Sequence, residues 1–487
     1  MSFRENTIKI VATIGPSSES EDMLEALIKA GVDVFRLNFS HGSNENKKDL
    51  INTIRKINDD IAILADIQGP KIRVGEFEND ETFQLTVGDE VKIYEKEILG
   101  NREQFSIPLE GFIDSINKGD IFYINDGIIS IKVKEKKEDH LIGEVQSSGN
   151  ISNNKGVNIP TGDLQQQVPT EKDIKDLEFI AGLDVEFVAI SFVSGGDDVL
   201  RVKKILENYG SPDVQLISKI ERPIALRNFD QILEVSDAIM VARGDLGVEI
   251  SPDKVPLKQK DLIYRCNKEG KPVIVATQML ESMINSPVPT RAEAADVFNA
   301  VLDGTDAVML SGETAIGKYP VNAVLFMNKI AYTAYQNMPV RVPDKYDSDR
   351  LTHTQTLGHA IHSLAKEMEE LNFRGKIVVI TRGGYGARMI AKYRPPLPII
   401  AITPFKKTAR ELNLMWAVQP FHIGNIDFFQ MDAESIIEES VKFAVDKNAL
   451  DENEHVIILL VSRKFKKRGN LVGLYYVGEI LEKSSGN

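Results

Sequence analysis

The chain has 487 residues, 42% hydrophobic and 27% charged, with 72 acidic against 58 basic residues and a formal net charge of −14. That length exceeds what one core supports, so two to four domains are expected. The acidic balance argues against nucleic acid or a membrane surface as partner, and the single cysteine, Cys266, excludes an internal disulfide.

From residue 8 to about residue 338, short apolar runs alternate with helical segments. Strands are expected at 8–14, 32–37, 61–65, 187–191, 215–220, 238–242, 272–276 and 307–310. They are continuous apolar runs, as parallel strands covered on both faces are. Helices are expected between them at 19–30, 45–58, 171–181, 197–208, 223–235, 256–268 and 292–302. Asp173, Asp253 and Thr290 lie near helix starts, and Gly31, Gly182 and Gly270 follow helix ends. Eight such units predict a (β/α)₈ TIM barrel with its site at the C-terminal ends of the strands.

The third unit is interrupted. Alternating strands at 82–87, 90–94, 121–123, 128–134 and 141–145 predict an inserted antiparallel β-barrel domain, with turns at Gly88-Asp89 and Asp126-Gly127. It is read as a lid hinged at Gly69-Pro70 and Asn158-Ile159-Pro160. A decorative insertion is the alternative. Past 346–349, a helix at 356–371 and strands at 376–380, 399–402, 455–461 and 471–477 predict a doubly wound C-terminal α/β domain. The expected boundaries are 1–70 and 158–342 for the barrel, 71–157 for the lid and 343–487 for the C-terminal domain. No apolar signal core opens the chain and no run reaches the length of a membrane span, so a cytoplasmic protein is expected.

Charged and polar residues gather where the barrel strands end. After strand two, Arg36, Asn38 and Ser40 alternate within Arg36-Leu37-Asn38-Phe39-Ser40-His41-Gly42, a set suited to a phosphate and a cation. A capped loop with a surface arginine is the alternative there. After strand three, Asp66-Ile67-Gln68-Gly69-Pro70-Lys71-Ile72-Arg73 brings Lys71 and Arg73 toward the same charge centre. Lys219 and Glu221 sit two apart on strand five and so share a face. Gly244 and Asp245 follow strand six, Thr277 follows strand seven, and Ser311-Gly312-Glu313-Thr314 after strand eight reads as a helix start with bare amides. Glu221 and Asp245 suit Mg²⁺, which takes one or two carboxylates plus water and phosphate oxygens. Lys219 suits charge on a phosphoryl group in flight. A structural Lys219–Glu221 ion pair is the alternative, and polar signals at five strand ends weigh against it.

On these residues the chain resembles the pyruvate kinase family. The matching blocks are 36–42, 69–73, 155–160, 217–221, 240–249, 276–283, 289–293 and 309–315, in family order. The runs Ala276-Thr277-Gln278-Met279-Leu280-Glu281-Ser282-Met283 and Pro289-Thr290-Arg291-Ala292-Glu293 are the most specific, and the resemblance covers residues 8–480. It implies phosphoryl transfer from phosphoenolpyruvate to ADP, giving pyruvate and ATP, the last step of glycolysis. It further implies Lys219 as transition-state stabiliser and Glu221 and Asp245 as ligands of Mg²⁺ or Mn²⁺. The Gly244 and Asp245 amides and Thr277 would receive the substrate carboxylate, with Thr277 linked to enolate protonation. Arg36 would contact the phosphate, and Asn38, Phe39, Ser40, His41, Arg73 and Lys155 would form the nucleotide side.

Many family members hold K⁺ at positions matching Asn38, Ser40, Asp66 and Ile67. They carry glutamate where this chain has Lys71, and threonine-lysine where it has Ile67-Gln68. The resemblance is to the K⁺-independent branch, in which Lys71 is expected to supply the charge. The family's effector loop matches Thr381, Arg382, Gly383, Gly384, Tyr385 and Gly386. It has few hydroxyls here, which weighs against fructose 1,6-bisphosphate and leaves another phosphorylated effector, or none, open. A homotetramer is the family expectation. Two other readings compete: a Mg²⁺-dependent barrel enzyme acting on a different enolate, and a catalytically dead sensor. The lid, Arg73 and Lys155 argue against the first, and intact Lys219, Glu221, Asp245 and Thr277 against the second.

Overall fold

The eight apolar runs pair into one closed parallel barrel in the computed structural model, which describes residues 8–125, 127–160, 167–338, 353–424, 431–462 and 469–484. In chain order the barrel strands are Lys9–Ile14, Val34–Asn38, Ala62–Asp66, Phe187–Ile190, Gln215–Ile220, Ala238–Ala242, Val273–Ala276 and Ala307–Leu310. Closure comes from pairing the first strand with the last, Lys9 opposite Ala307 and Ala12 opposite Leu310. Small and large side chains mix inside the barrel. Ala62, Ala189 and Ala276 make room for Phe187, Met240 and Met309, and Leu414 of the C-terminal region joins the same cluster. Filling the interior this way makes it a packed core, not a pore.

The flanking helices follow from their apolar spacing and their stops. Helix Glu21–Ala30 buries Leu24 and Leu27, three apart, and ends at Gly31 with φ 116°. A Cβ there would stand 2.2 Å from Asn328 Nδ2, so glycine meets both a conformational and a steric demand. Gly270 also ends its helix left-handed, at φ 68°, whereas Gly182 has φ −88° and needs no glycine. Asp173 and Glu293 complete capping boxes with the N-cap residues Thr170 and Thr290. Asp253 lies in a short 3₁₀ turn, Pro252–Lys254, just before helix Val255–Glu269. The single helix expected over 223–235 is two, Pro223–Arg227 and Phe229–Val235. They part at Asn228, whose side-chain amide donates to the Ser194 carbonyl at 2.8 Å.

The insertion after strand three has its own apolar core, with Phe105, Phe112 and Phe122 fully buried. The alternation that announces it is plain in strand Ile129–Lys136, where Ile129, Ile131 and Val133 are buried and Lys132 and Lys134 exposed. Its strands pair in two sheets. Six strands form the larger, and Phe83–Leu85 pairs with Gly149–Ile151 in the smaller. Strand Glu90–Tyr94 runs parallel to Gln104–Ser106. Asp126 of the expected turn, and residues 339–352, which contain the expected 342/343 boundary, lie outside the described residues.

The C-terminal sheet has the order Val418–His422, Ile399–Thr403, Gly375–Ile380, His455–Ser462, Gly469–Tyr476. The first four strands are parallel and the last is antiparallel to its neighbour. Separate apolar clusters cover the two faces, as a doubly wound sheet requires. This domain seats on the N-terminal ends of the barrel strands. Arg410 reaches Asp184 and Glu186 just before strand four, and Arg394 reaches Asp306 just before strand eight. Among the described residues, no helix is long and apolar enough to cross a membrane.

Candidate active site

At the opposite end of the barrel, side chains from the ends of seven strands converge. Asp66, at the end of strand three, is fully buried and links two cations. Arg36 Nε donates to its Oδ2 at 2.7 Å, and Lys219 Nζ lies 3.4 Å from its Oδ1. Burial alone would raise the Asp66 pKa, but Lys219 and Arg36 hold it below the usual carboxylate value. Arg36 also donates to Thr13 Oγ1 at 3.0 Å, and Thr13 donates across to the Leu310 carbonyl, tying strands one, two and eight together. Lys219 Nζ makes two further contacts, to Ser191 Oγ at 2.7 Å and Glu221 Oε1 at 3.0 Å. Burial opposes its charge; Asp66 and Glu221 overcome that and push its pKa above the ordinary lysine value. Lys219 is therefore a fixed ammonium at the centre of the mouth.

Glu221 is buried with Lys219 on one oxygen and the Phe192 amide on the other, at 2.7 Å. Burial lifts its pKa, Lys219 opposes, and the charge of Asp245 lifts it further. Phe192 adopts φ 58°, the left-handed region, to present that amide. A buried carboxylate whose charge is disfavoured by a second carboxylate beside it fits a divalent cation. Among the described residues no group of three or more His, Cys, Asp or Glu side chains is placed to hold a metal ion. Two carboxylates with room for water and substrate oxygens suit Mg²⁺ better than a metal needing a full protein cage.

Helix Arg243–Ile250 begins directly at the end of strand six. The Gly244 amide donates to Thr277 Oγ1 at 2.7 Å, and that hydroxyl donates to the Ala276 carbonyl at 2.6 Å. A Cβ on residue 244 would come within 3.2 Å of the same hydroxyl, so glycine permits the approach. Thr277 and Gln278 are consecutive left-handed residues, at φ 68° and 53°. Arg243 holds them there, donating to both of their carbonyls at 2.9 Å while pairing with Asp296 at 2.6 Å. Of the amides expected to be bare after strand eight, that of Ser311 is occupied. Glu313 accepts from Ser311 N at 2.7 Å and Leu280 N at 3.0 Å.

On the side toward the lid, Asn38 lies opposite Asp66 in the strand register, and its Oδ1 accepts from the Ser40 amide at 3.0 Å. The Phe39 amide donates to the Asp66 carbonyl at 2.8 Å. Ile67 offers only backbone, and its carbonyl already accepts from Ser191 Oγ at 2.7 Å. Arg73 joins the two lid stems, bridging Gly156 and donating to the Asn154 carbonyl at 2.7 Å; the Lys155 carbonyl accepts from Val74 N at 2.9 Å. Lys71 is exposed beside Gly156. Burial first, then Arg73, Lys47, Lys71 and Lys172, hold the His41 pKa below the usual imidazole value. Thus Arg36, Asp66, Lys219, Glu221, Gly244, Asp245 and Thr277 meet at one mouth, with the 38–41 loop and Arg73 beside them. The 381–386 loop is elsewhere, before helix Tyr385–Ala391, with Thr381 buried, Gly384 at φ 73° and the Arg382 guanidinium 5.4 Å from the centre of the Phe405 ring.

Sequence reasoning named nothing at the end of strand four, where Ser191 and Phe192 orient Lys219 and Glu221. Arg243 was given no role either. The rule that every strand end of a barrel faces the site was signal enough for the first two.

Comparison with known proteins gives one answer. A family model described as pyruvate kinase, barrel domain, matches residues 5–324, and one described as pyruvate kinase, alpha/beta domain, matches residues 359–471. A pyruvate kinase of Sporosarcina psychrophila is 41% identical over 98% of this chain and 82% of its own length. One of Staphylococcus saprophyticus is 43% identical over the same shares. Among solved structures, a pyruvate kinase from Cryptosporidium parvum superposes with TM-score 0.89 at 34% identity, covering 97% of this chain and 96% of that one.

Proposed function

Because the chain belongs to the pyruvate kinase family, and so transfers the phosphoryl group of phosphoenolpyruvate to ADP, we propose how its own residues divide that work. One observation carries the reading: Lys219 is held charged between Asp66 and Glu221, within reach of the Arg36 system. Its ammonium neutralises charge on the phosphoryl group between donor and acceptor oxygens. Arg36, oriented by Asp66 and Thr13, binds the phosphate of phosphoenolpyruvate. Glu221 and Asp245 would hold the Mg²⁺ that the family uses; when bound, the ion supplies positive charge against phosphate and enolate oxygens. The substrate carboxylate takes the Gly244 and Asp245 amides, and in doing so displaces the Thr277 hydroxyl from Gly244. That frees the hydroxyl to take part in protonating the enolate. Asn38 to His41, Arg73 and Lys155 face ADP, and the lid, residues 71–157, excludes water while the phosphoryl group is in flight.

Formation of ATP from phosphoenolpyruvate and ADP, coupled to pyruvate reduction, tests this division. Turnover with Mg²⁺ should collapse in Lys219→Met and in Glu221→Gln. Retention of wild-type kcat in either variant overturns the assignment of that residue.

Lys71 takes the place of K⁺ in this reading. Its charge already acts on His41, and Ile67 brings no side-chain oxygen to a cation pocket. In tetramethylammonium buffer, added KCl should leave the rate unchanged, and Lys71→Glu should create a K⁺ requirement. Many-fold activation of the unmodified protein by KCl overturns it. We also propose a cytoplasmic homotetramer, to be checked by light scattering. A phosphorylated effector at 381–386 is to be checked by a shift in the KM for phosphoenolpyruvate.

A further inference from the structure

Loop 38–43 rests on a lysine that the assigned chemistry does not use. Helix Asn44–Ile57 starts directly after the loop and carries Lys47 near its start. The Lys47 ammonium turns back beneath the loop. It donates to the carbonyls of His41 at 2.6 Å, Gly42 at 3.4 Å and Ser43 at 3.4 Å, and stands 4.9 Å from the centre of the Phe39 ring. A second ammonium comes from helix Glu171–Ala181, where Lys172 donates to the Phe39 carbonyl at 2.9 Å. Asp176, one turn on, accepts from Lys172 at 2.8 Å and from Asn44 at 3.2 Å, so the support is braced on both helices.

Lys47 is an expensive residue at this position. A cation near a helix start faces the positive end of the dipole. It is also only 7% exposed, and burial, with the repulsion of Lys172 and against the attraction of Asp176, holds its pKa below the ordinary lysine value. A methionine of similar length would avoid both costs. What methionine cannot do is donate to carbonyls or add charge. The two lysines cover the negative ends of the loop's peptides, and together with Arg73 and Lys71 they act on His41. Uncovered carbonyls in that loop would repel a phosphate chain lying beside it.

We infer that Lys47 is a positioning residue for a nucleoside diphosphate: it clamps the backbone of residues 41–43 from below so that the loop meets the ligand's phosphates with its negative ends covered, and Lys172 does the same for Phe39. The inference rests on the nucleotide-side reading of Asn38 to His41 and Arg73. Its test is the separate KM for ADP and for phosphoenolpyruvate in Lys47→Met, Lys172→Met and Arg73→Ala, each checked for thermal unfolding. Lys47→Met should raise the KM for ADP about tenfold. It should leave the KM for phosphoenolpyruvate within about twofold, which a general loss of structure would not do. Lys172→Met, at a half-exposed side chain, should show the same selectivity more weakly. It decides the matter if Lys47→Met fails to fold. If Arg73→Ala raises the KM for ADP and neither lysine variant does, the clamp is overturned. If both KM values rise together in the lysine variants, it is overturned as well. If Arg73→Ala also leaves the KM for ADP unchanged, the nucleotide-side reading fails and the clamp with it.

Discussion

At the bottom of the barrel, Glu186 and Asp306 are buried and each meets an arginine from the C-terminal domain; at the mouth, Asp66 and Glu221 are buried around Lys219. The bottom pairs close on themselves. Glu186 accepts from Arg55 and from the Ile63 amide, and Asp306 accepts from Arg394 and from the amides of Val273 and Trp416. The mouth does not close. Glu221 faces a like charge in Asp245, and the neighbouring backbone is left-handed at Phe192, Thr277 and Gln278. Buried charge by itself therefore marks neither function nor stability. At the mouth, the facing carboxylates of Glu221 and Asp245 are what a ligand must resolve.

The contrast can be broken by removing one cation at each end. Arg394→Met leaves Asp306 buried without its cation and should cost about 3–5 kcal/mol of stability, with kcat of the folded enzyme unchanged. Urea unfolding followed through the fluorescence of Trp416, the only tryptophan, measures it. Lys219→Met should lower kcat about 10²–10³-fold, the loss expected for one preorganised charge donor. Its unfolding midpoint should move less than that of Arg394→Met, because Asp66 keeps Arg36 at 2.7 Å. Equal loss of stability in the two variants, or a kcat near that of the parent in Lys219→Met, would erase the distinction.

A smaller effect sharpens it. Glu411 is the last residue of helix Lys406–Glu411 in the C-terminal domain, whose Arg410 pairs with Asp184 and Glu186 at the barrel bottom. Burial lifts its pKa to about 7; Lys407 and Arg388 oppose, and Glu186 and Asp237 add to the lift. The folded protein holds a proton that the unfolded chain, with glutamate near ~4.3, has released. Stability should therefore fall as pH rises from about 4 to about 7. Glu411→Gln removes that slope: it should match the parent at low pH and exceed it at pH above about 7 by on the order of 2 kcal/mol. Thermal melts across this range check it, and parallel curves for the two proteins count against it.

The barrel was legible because parallel strands buried on both faces leave unbroken apolar runs, and all eight runs became strands. The lid was legible where strands are long enough to alternate. Gln104–Ser106, Gly149–Ile151 and Val157–Asn158 were missed because two or three residues carry no period. Val418–His422 was missed for another reason: Pro420, Gln419 and His422 demote it as a strand, yet it survives at the sheet edge, where proline is tolerated. At the site, Lys219 and Glu221 stood out as charges two apart on an apolar strand. Ser191 and Phe192 did not, since a serine and a backbone amide look like any loop. Arg243 acts through carbonyls, which no side-chain pattern announces.

The pairing of Lys9 with Ala307 sets a timetable as well as a shape. The first strand leaves the ribosome about 300 residues before its last partner, roughly 15–60 s at ordinary rates of synthesis. Through that interval strand one has strand two on one edge and its other edge still lacks its partner, and the whole lid is made before strand four arrives. Open strand edges are templates for wrong pairing. A nascent chain stalled before residue 307 should thus be the species most in need of a chaperone.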